Sequence, residues 1–218
     1  MLELFEKGGI MMYPLLLCSV LAVAIMLERF WNLRRKRILV PEIIGMLDRI
    51  EKPEDLSLAN SICEKFDSPF SRIIRCTIAN RSLSHEDLRT TVEDEGRQEV
   101  RTLHRGLSAL ETIANIAPLL GLLGTVLGMI KVFNIIQTLG VGQAKALSGG
   151  ISEALITTAA GLFIGIPAVF LYNYFNTRVE NLILDIEQYT LMLLNKMIRM
   201  NRATAPTLEP DSLKLNAK

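Results

Sequence analysis

Apolar residues in this chain are gathered into long blocks rather than dispersed. Gly8–Leu27, Thr112–Ile130 and Ala154–Thr177 each run without a charged residue. At ~1.5 Å of rise per residue, about 20 such residues cross the hydrocarbon core of a bilayer, and each block is long enough. Between them the pattern changes. Residues 28 to 110 are polar and charged, with prolines at 41, 53 and 69 and no alternating apolar run. This predicts short helices rather than strands, with Pro41 and Pro53 in first-turn positions. Ser68-Pro69 opens another helix, whose apolar side is Phe70, Ile73, Ile74 and Ile78. Ser84 followed by Asp87 resembles a capping box. From there Leu88, Val92, Val100, Leu103, Leu107 and Leu110 keep a seam at steps of three and four, with Gly96 in the gap. The seam runs straight into the second apolar block. One long helix is therefore expected, leaving the membrane and extending more than ~60 Å.

The third block is followed by Val179, Leu182, Ile186, Tyr189, Leu193 and Met200 at near-heptad steps. This tail is expected to be helical and to pack on the Leu88–Leu110 seam. The pattern thus predicts an all-α integral membrane protein. It has three transmembrane helices, of which the second and third extend into a cytoplasmic helical domain. The expected boundaries are an outer N-terminus at 1–7, a first span at 8–27 and a cytoplasmic domain at 28–110. The second span follows at 111–136, an outer loop at 137–149 and the third span at 150–175. A cytoplasmic helix at 176–200 precedes a tail at 201–218, which lacks a core-forming pattern and is expected to be disordered.

Charge sets the orientation. Arg29, Arg34, Arg35, Lys36 and Arg37 follow the first span at once, whereas Lys131 and Lys145 are the only charges between residues 131 and 150. Basic residues favour the cytoplasmic side, so the N-terminus and the 131–150 turn lie outside and the C-terminus inside. The first block has the reverse charge order of a cleaved signal peptide and reads as an uncleaved anchor. A net charge of +1 supplies no basic field for nucleic acid. Cys18, Cys63 and Cys76 show no paired spacing, and His85 and His104 lie far apart. No disulfide framework, metal site or cofactor motif is indicated, and no nucleophile–base constellation marks an enzyme.

What remains is the character of the spans. On the second, Pro118, Gly121, Thr125 and Gly128 share one stripe, and Gly124 and Gly128 form a G-x-x-x-G. On the third, Ala154, Thr158, Gly161, Gly165 and Ala168 share another, with Gly161 and Gly165 in the same spacing. Small residues let helix backbones approach closely in lipid, where dispersion drives association. The opposite side of the third span holds Leu162, Phe163, Ile166 and Phe170, which suits lipid. Pro118 removes a donor and should kink or open its helix. Thr125 and Thr158 lie near mid-membrane. Each has a structural reading, a hydroxyl bonded back one turn, and together they have a functional one, a polar belt. Thr157 points about 100° away from Thr158, which is preferred because it shares the glycine stripe. Glu153 at the outer end of the third span reads equally as a functional carboxylate or as an ordinary first-turn one. Lys131 reads as a snorkelling lysine.

The segments APLLGLLGTVLGMIKVF (117–133) and GISEALITTAAGLFIGIPAVFLYNYF (150–175) resemble the TolQ/ExbB branch of the MotA/TolQ/ExbB proton-channel family. The resemblance implies an inner-membrane stator subunit driven by the proton motive force, in a TonB- or Tol-like system. It implies a homopentamer around a dimer of a one-span ExbD/TolR-type partner whose membrane aspartate carries protons, together with a TonB- or TolA-type protein. It places the family's pore-facing threonines on Thr125 and Thr158, its acidic pore-mouth residue on Glu153 and its helix-two proline on Pro118. The competing readings are a stator for gliding or surface motility, a non-conducting membrane scaffold and a transporter subunit. Three spans make a flagellar-motor stator less fitting than the TolQ/ExbB branch.

The orientation is testable. A membrane-impermeant thiol reagent should label a cysteine placed at Gly142 and should not label one placed at Ser57. The opposite pattern would invert the topology.

Overall fold

The computed structural model describes residues 5, 7–50, 52–140, 142 and 144–204, and the side chains up to residue 200. The tail expected to be disordered falls, from residue 205 onward, outside the described residues. The described elements are α1 (Met12–Asn32), α2 (Arg35–Ile38), α3 (Pro41–Arg49), α4 (Asp55–Glu64), α5 (Pro69–Ala79), α6 (His85–His104), α7 (Leu107–Leu139) and α8 (Ala144–Thr204). Among the described residues the regular structure is helical throughout. Three helices, α1, α7 and α8, are long and apolar enough to cross a membrane. The chain is an all-α membrane protein. It divides into two compact units, residues 1–34 with 103–180, and residues 35–102 with 181–218.

The first unit holds the spans. The buried residues of α1, namely Leu15, Ala22 and Arg29, recur every seventh position and form one narrow seam. Leu16, Leu17, Val20, Val23 and Leu27 stay exposed. Within the subunit only 17%, 22% and 28% of the apolar windows of α1, α7 and α8 are buried, so most of their surface is left to lipid or to other chains. Leu162, Phe163, Ile166 and Phe170 are all exposed, Phe163 at 82%.

Contact between α7 and α8 is backbone against backbone. A Cβ on Gly161 would sit 2.6 Å from the Ala117 carbonyl oxygen and 3.0 Å from Gly121 Cα. One on Gly121 would meet the Thr157 carbonyl oxygen at 2.9 Å, and one on Gly128 the Gly150 carbonyl oxygen at 2.7 Å. Pro118 packs on Gly165, where a Cβ would come within 2.6 Å of the proline ring. Pro118 has no N–H for the Ala114 carbonyl, which would lie 3.4 Å from the same Cβ. Gly165 thus covers the carbonyl that the proline leaves without its helical donor.

The long helix expected from the Leu88 seam is broken. α6 ends at His104, and Gly106 turns the chain in a left-handed conformation, φ 82°, that glycine adopts without strain. A lone glycine in a helical pattern is ordinarily tolerated in place, but here a buried arginine from elsewhere occupies the joint. Arg29, 6% exposed, donates from Nη1 to the Leu103 carbonyl at 3.2 Å, and its Nη2 would lie 3.3 Å from a Cβ on Gly106. A cation at the C-terminal end of α6 also opposes the helix dipole. Arg178 acts alike on α1, donating from Nε to the Leu33 carbonyl at 2.9 Å. At the other end of the spans the loop is shorter than expected. α7 continues to Leu139, Gly140 turns at φ 76° with its N–H on the Ile136 carbonyl, and α8 begins at Ala144.

The second unit is built from α2–α5, most of α6 and the end of α8. Ser68 and Ser71 form a reciprocal capping box, with Pro69 in the first turn of α5, and Phe70, Ile73, Ile74 and Ile78 are buried. Ser84 accepts from the Asp87 N–H at 3.2 Å and so caps α6. Pro53 differs from expectation. Glu54 occupies the N-cap position of α4 without a side-chain capping bond, so the proline precedes the helix. The α8 tail takes the short helices as partners. Tyr189 meets the Phe70 ring at 5.8 Å, Asp185 accepts from Arg35 at 2.9 Å, and Lys196 caps the end of α3 through the Leu47 carbonyl at 2.7 Å. On α6 the buried stripe passes through Glu99, 6% exposed, while the expected Val100 is only half-buried. Arg72 explains this, donating from Nε and Nη2 to the two Glu99 oxygens at 2.6 and 2.8 Å. The Glu99 hydrogen bond raises the Arg72 pKa further, which keeps the guanidinium charged. Burial pushes the Cys63 thiol up to about 11, leaving it protonated and unreactive.

Two stability predictions follow from these contacts. Gly121→Ala and Gly161→Ala drive a methyl into backbone and should each cost about 2 kcal/mol, read as lowered thermal stability in detergent. Gly149→Ala, where the space is open, should not. Arg72→Met strands the Glu99 charge and should cost about 3 kcal/mol, recovered in the Arg72→Met/Glu99→Met double variant. Limited proteolysis of the full-length protein reads both variants.

Candidate functional site

The α7–α8 contact decides where the mid-span hydroxyls sit. Buried positions on α8 run Gly150, Ala154, Thr157, Gly161, Gly165 and Ala168. Thr157, at 0% exposed, therefore stands on the small stripe, packed where a Cβ on Gly124 would collide with it. The sequence had assigned this place to Thr158. Both satisfy steps of three and four from Ala154 to Gly161, so periodicity alone does not separate them. Thr157 hands its hydroxyl proton to its own helix, to the Glu153 and Ala154 carbonyls, both at 3.0 Å. It is a packing residue with an internally satisfied hydroxyl.

Thr158 lies at the edge of the stripe, half-buried. Its hydroxyl reaches across the pair to the Gly121 carbonyl at 3.2 Å and back to the Ala154 carbonyl at 3.2 Å. Thr125 stands four residues beyond Gly121, so it lies on the same side of α7, one turn along. It too is half-buried, and its hydroxyl donates to the Leu122 carbonyl at 2.6 Å. Each donor is engaged, but each oxygen keeps lone pairs free for a water or a protonated carboxyl. Either rotor can instead turn to donate to a carboxylate. Thr158 thus bonds across the contact to Gly121, and Thr125 lies one turn from that residue on the same side of α7; both are adaptable polar groups at the edge of a sealed helix contact.

Glu153 is placed elsewhere. It is five residues from Thr158, about 140° around the helix. Its carboxylate accepts both oxygens' bonds from Lys131 Nζ, at 2.7 and 2.6 Å. The Glu153 side chain is 14% exposed, the Lys131 side chain 55%. Gly9, at φ 66°, lies against the carboxyl so closely that a Cβ there would fall on it. The beginning of the first span, the end of the second and the beginning of the third meet at this group. Sequence separation hid the pair, because neither residue's neighbours mark the other as its partner.

None of the three apolar blocks contains Asp or Glu. The threonine hydroxyls within these blocks do not change charge near neutral pH.

A family model for the MotA/TolQ/ExbB proton channel family matches residues 65–188, which include α7, the loop and the spanning part of α8. An ExbB-like biopolymer transport protein of Synechocystis is 39% identical over 79% of this chain and 69% of its own length. An ExbB homologue of Methanothermobacter thermautotrophicus is 33% identical over 85% of this chain and 66% of its own, so the chain spans about two thirds of these relatives. Biopolymer transport protein exbB1 of Vibrio cholerae is 31% identical over 77% of this chain and 75% of its own length. The match falls on the helices whose small faces seal together and whose threonines line their rim, and the chain belongs to the ExbB branch of the MotA/TolQ/ExbB proton channel family.

Proposed function

We propose that this protein is the channel-forming stator subunit of an inner-membrane complex that couples the proton motive force to a TonB- or Tol-like outer-membrane process. The carrying observation is the Thr125–Thr158 rim beside Gly121, in the apolar stretches 112–130 and 154–177, which hold no acidic residue. A proton path needs a group that changes charge at that depth. The reading therefore assigns the carboxylate to a one-span partner of the ExbD/TolR type, whose aspartate moves past the threonines. The hydroxyls accept from the protonated acid and donate to the ionised one, lowering the desolvation cost of the charged state. No covalent chemistry is asked of this chain.

Assembly is supported by what the subunit leaves uncovered. Most of the apolar surface of α7 and α8 is unburied in one chain, and both threonines are only half-buried. The reading takes a homopentamer around a partner dimer, with the α7–α8 rims lining the central space. Glu153 stands near the entry of this path in the proposed topology, with the N-terminus periplasmic and the C-terminus cytoplasmic.

The test is Thr→Val, which keeps the branched shape and deletes the hydroxyl. A hydrogen bond between membrane helices is worth only ~0.6 kcal/mol on average, so assembly should survive. Thr125→Val and Thr158→Val should assemble normally and lose most proton-driven function. Thr157→Val should be mild, since that hydroxyl serves only its own helix. Oligomer size by native mass spectrometry and energised uptake or envelope integrity read the three. Full function of Thr158→Val at wild-type abundance would favour a non-conducting scaffold.

A further inference from the structure

Lys131 has no place in the pathway as so far described, yet it makes the closest polar contact in the spanning unit to the one carboxylate near the path. Its ammonium bridges both Glu153 oxygens at 2.7 and 2.6 Å. The carboxylate is walled on a second side by the Gly8–Gly9 turn. That turn approaches closely only because Gly9 has no Cβ and takes φ 66°. Among the described residues, Lys131 is the group that ion-pairs with Glu153. The pair faces about 140° away from Thr158 on the same helix.

We propose that Lys131 is a positioning and selectivity residue of the proton pathway. It holds Glu153 paired and turned from the Thr125–Thr158 rim, so that the charge presented at the pathway entry is that of the pair rather than of a bare carboxylate. This rests on the proton-pathway reading above. A close ion pair presents almost no net charge to an approaching cation. A lone carboxylate concentrates cations at the entry, and a lone ammonium repels them. Five subunits around one axis multiply either effect. The pair thus keeps proton entry slow and tied to the working cycle.

The experiment measures proton flux, with a pH-sensitive dye, into vesicles containing the intact complex with its one-span partner. Lys131→Met should raise flux about tenfold and Glu153→Gln should lower it by a similar factor, while the Lys131→Met/Glu153→Gln double variant returns to within about twofold of wild type. Lys131→Arg should match the unaltered protein. A double variant as slow as Glu153→Gln alone would overturn the proposal, because Glu153 would then act by itself as a carrier. A flat Lys131 series would also overturn it. Should Lys131→Met fail to assemble, the reversed pair Lys131→Glu/Glu153→Lys keeps the bridge. Wild-type flux from that variant supports the proposal, and lost flux from an assembled reversed pair rejects it. Thr158→Val in the same vesicles separates the two readings. If it abolishes flux while the Lys131 series is flat, only the role of Lys131 fails. If it too leaves flux unchanged, the pathway reading itself fails.

Discussion

Everything distinctive in the spanning unit depends on two helix backbones touching. Between Gly128–Gly150 and Pro118–Gly165, α7 and α8 approach so closely that hydrogen atoms are the only side chains that fit at several positions. In lipid this contact gains nothing from expelling water. It gains from dispersion, from Cα–H groups meeting carbonyls, and from the polar bonds made along it. The closeness also puts the Gly121 carbonyl within reach of a threonine on the other helix. With bulkier residues at Gly121 or Gly161 the helices would separate, and Thr158 would have only its own helix to bond. The packing stripe and the polar rim are thus one construction. Glycines set the separation, and the separation sets the hydroxyl geometry.

The ends of the spans follow a different logic. Three basic side chains each finish a helix that begins far away in sequence: Arg29 at Leu103, Arg178 at Leu33, and Lys196 at Leu47. In each case the acceptor is a carbonyl at or near a helix C-terminus, where the dipole favours a cation. Arg29 does most. Its guanidinium fills the turn at Gly106 and makes a break out of what the apolar seam alone would continue. Its Nε remains unbonded though buried, which marks the joint as held by its other contacts.

Much of this was legible in the chain. Long uncharged blocks fix the number of spans, and serine caps fix the starts of α5 and α6. The small stripes identify which two spans pack face to face. What could not be read were choices between near-equivalent positions and partnerships at long range. Thr157 and Thr158 both complete the same three-four pattern, and only the partner helix selects which one is buried. Val100 fits the α6 seam by type, but the position turned inward is Glu99, because Arg72 on another helix supplies its counter-charge. The Leu88–Leu110 seam reads straight through Gly106, and the Arg29 contact at that residue comes from far away in sequence. Glu153 looked like a first-turn carboxylate, and nothing adjacent to it in sequence points to Lys131.

The charge inventory of the spans ties these observations together. A membrane helix keeps an ionisable group only where something repays its desolvation. Among the described residues, the charged side chains of the spanning unit sit toward its ends, and several are paired or bound to carbonyls. The middle of α7 and α8 offers hydroxyls and glycine-exposed carbonyls. In the proposed reading, such a middle stabilises a charge that passes through without ever carrying one, which suits a wall rather than a carrier. The division of labour follows from chemistry. Threonine has no protonation equilibrium near neutral pH, so a wall built from it cannot trap a proton between strokes. The group that does titrate must be free to move relative to that wall, and a residue fixed in the α7–α8 contact is not. In the proposed reading, a carboxylate on a separate chain satisfies both requirements, and the sealed, small-residue helix pair keeps water from short-circuiting the path alongside it.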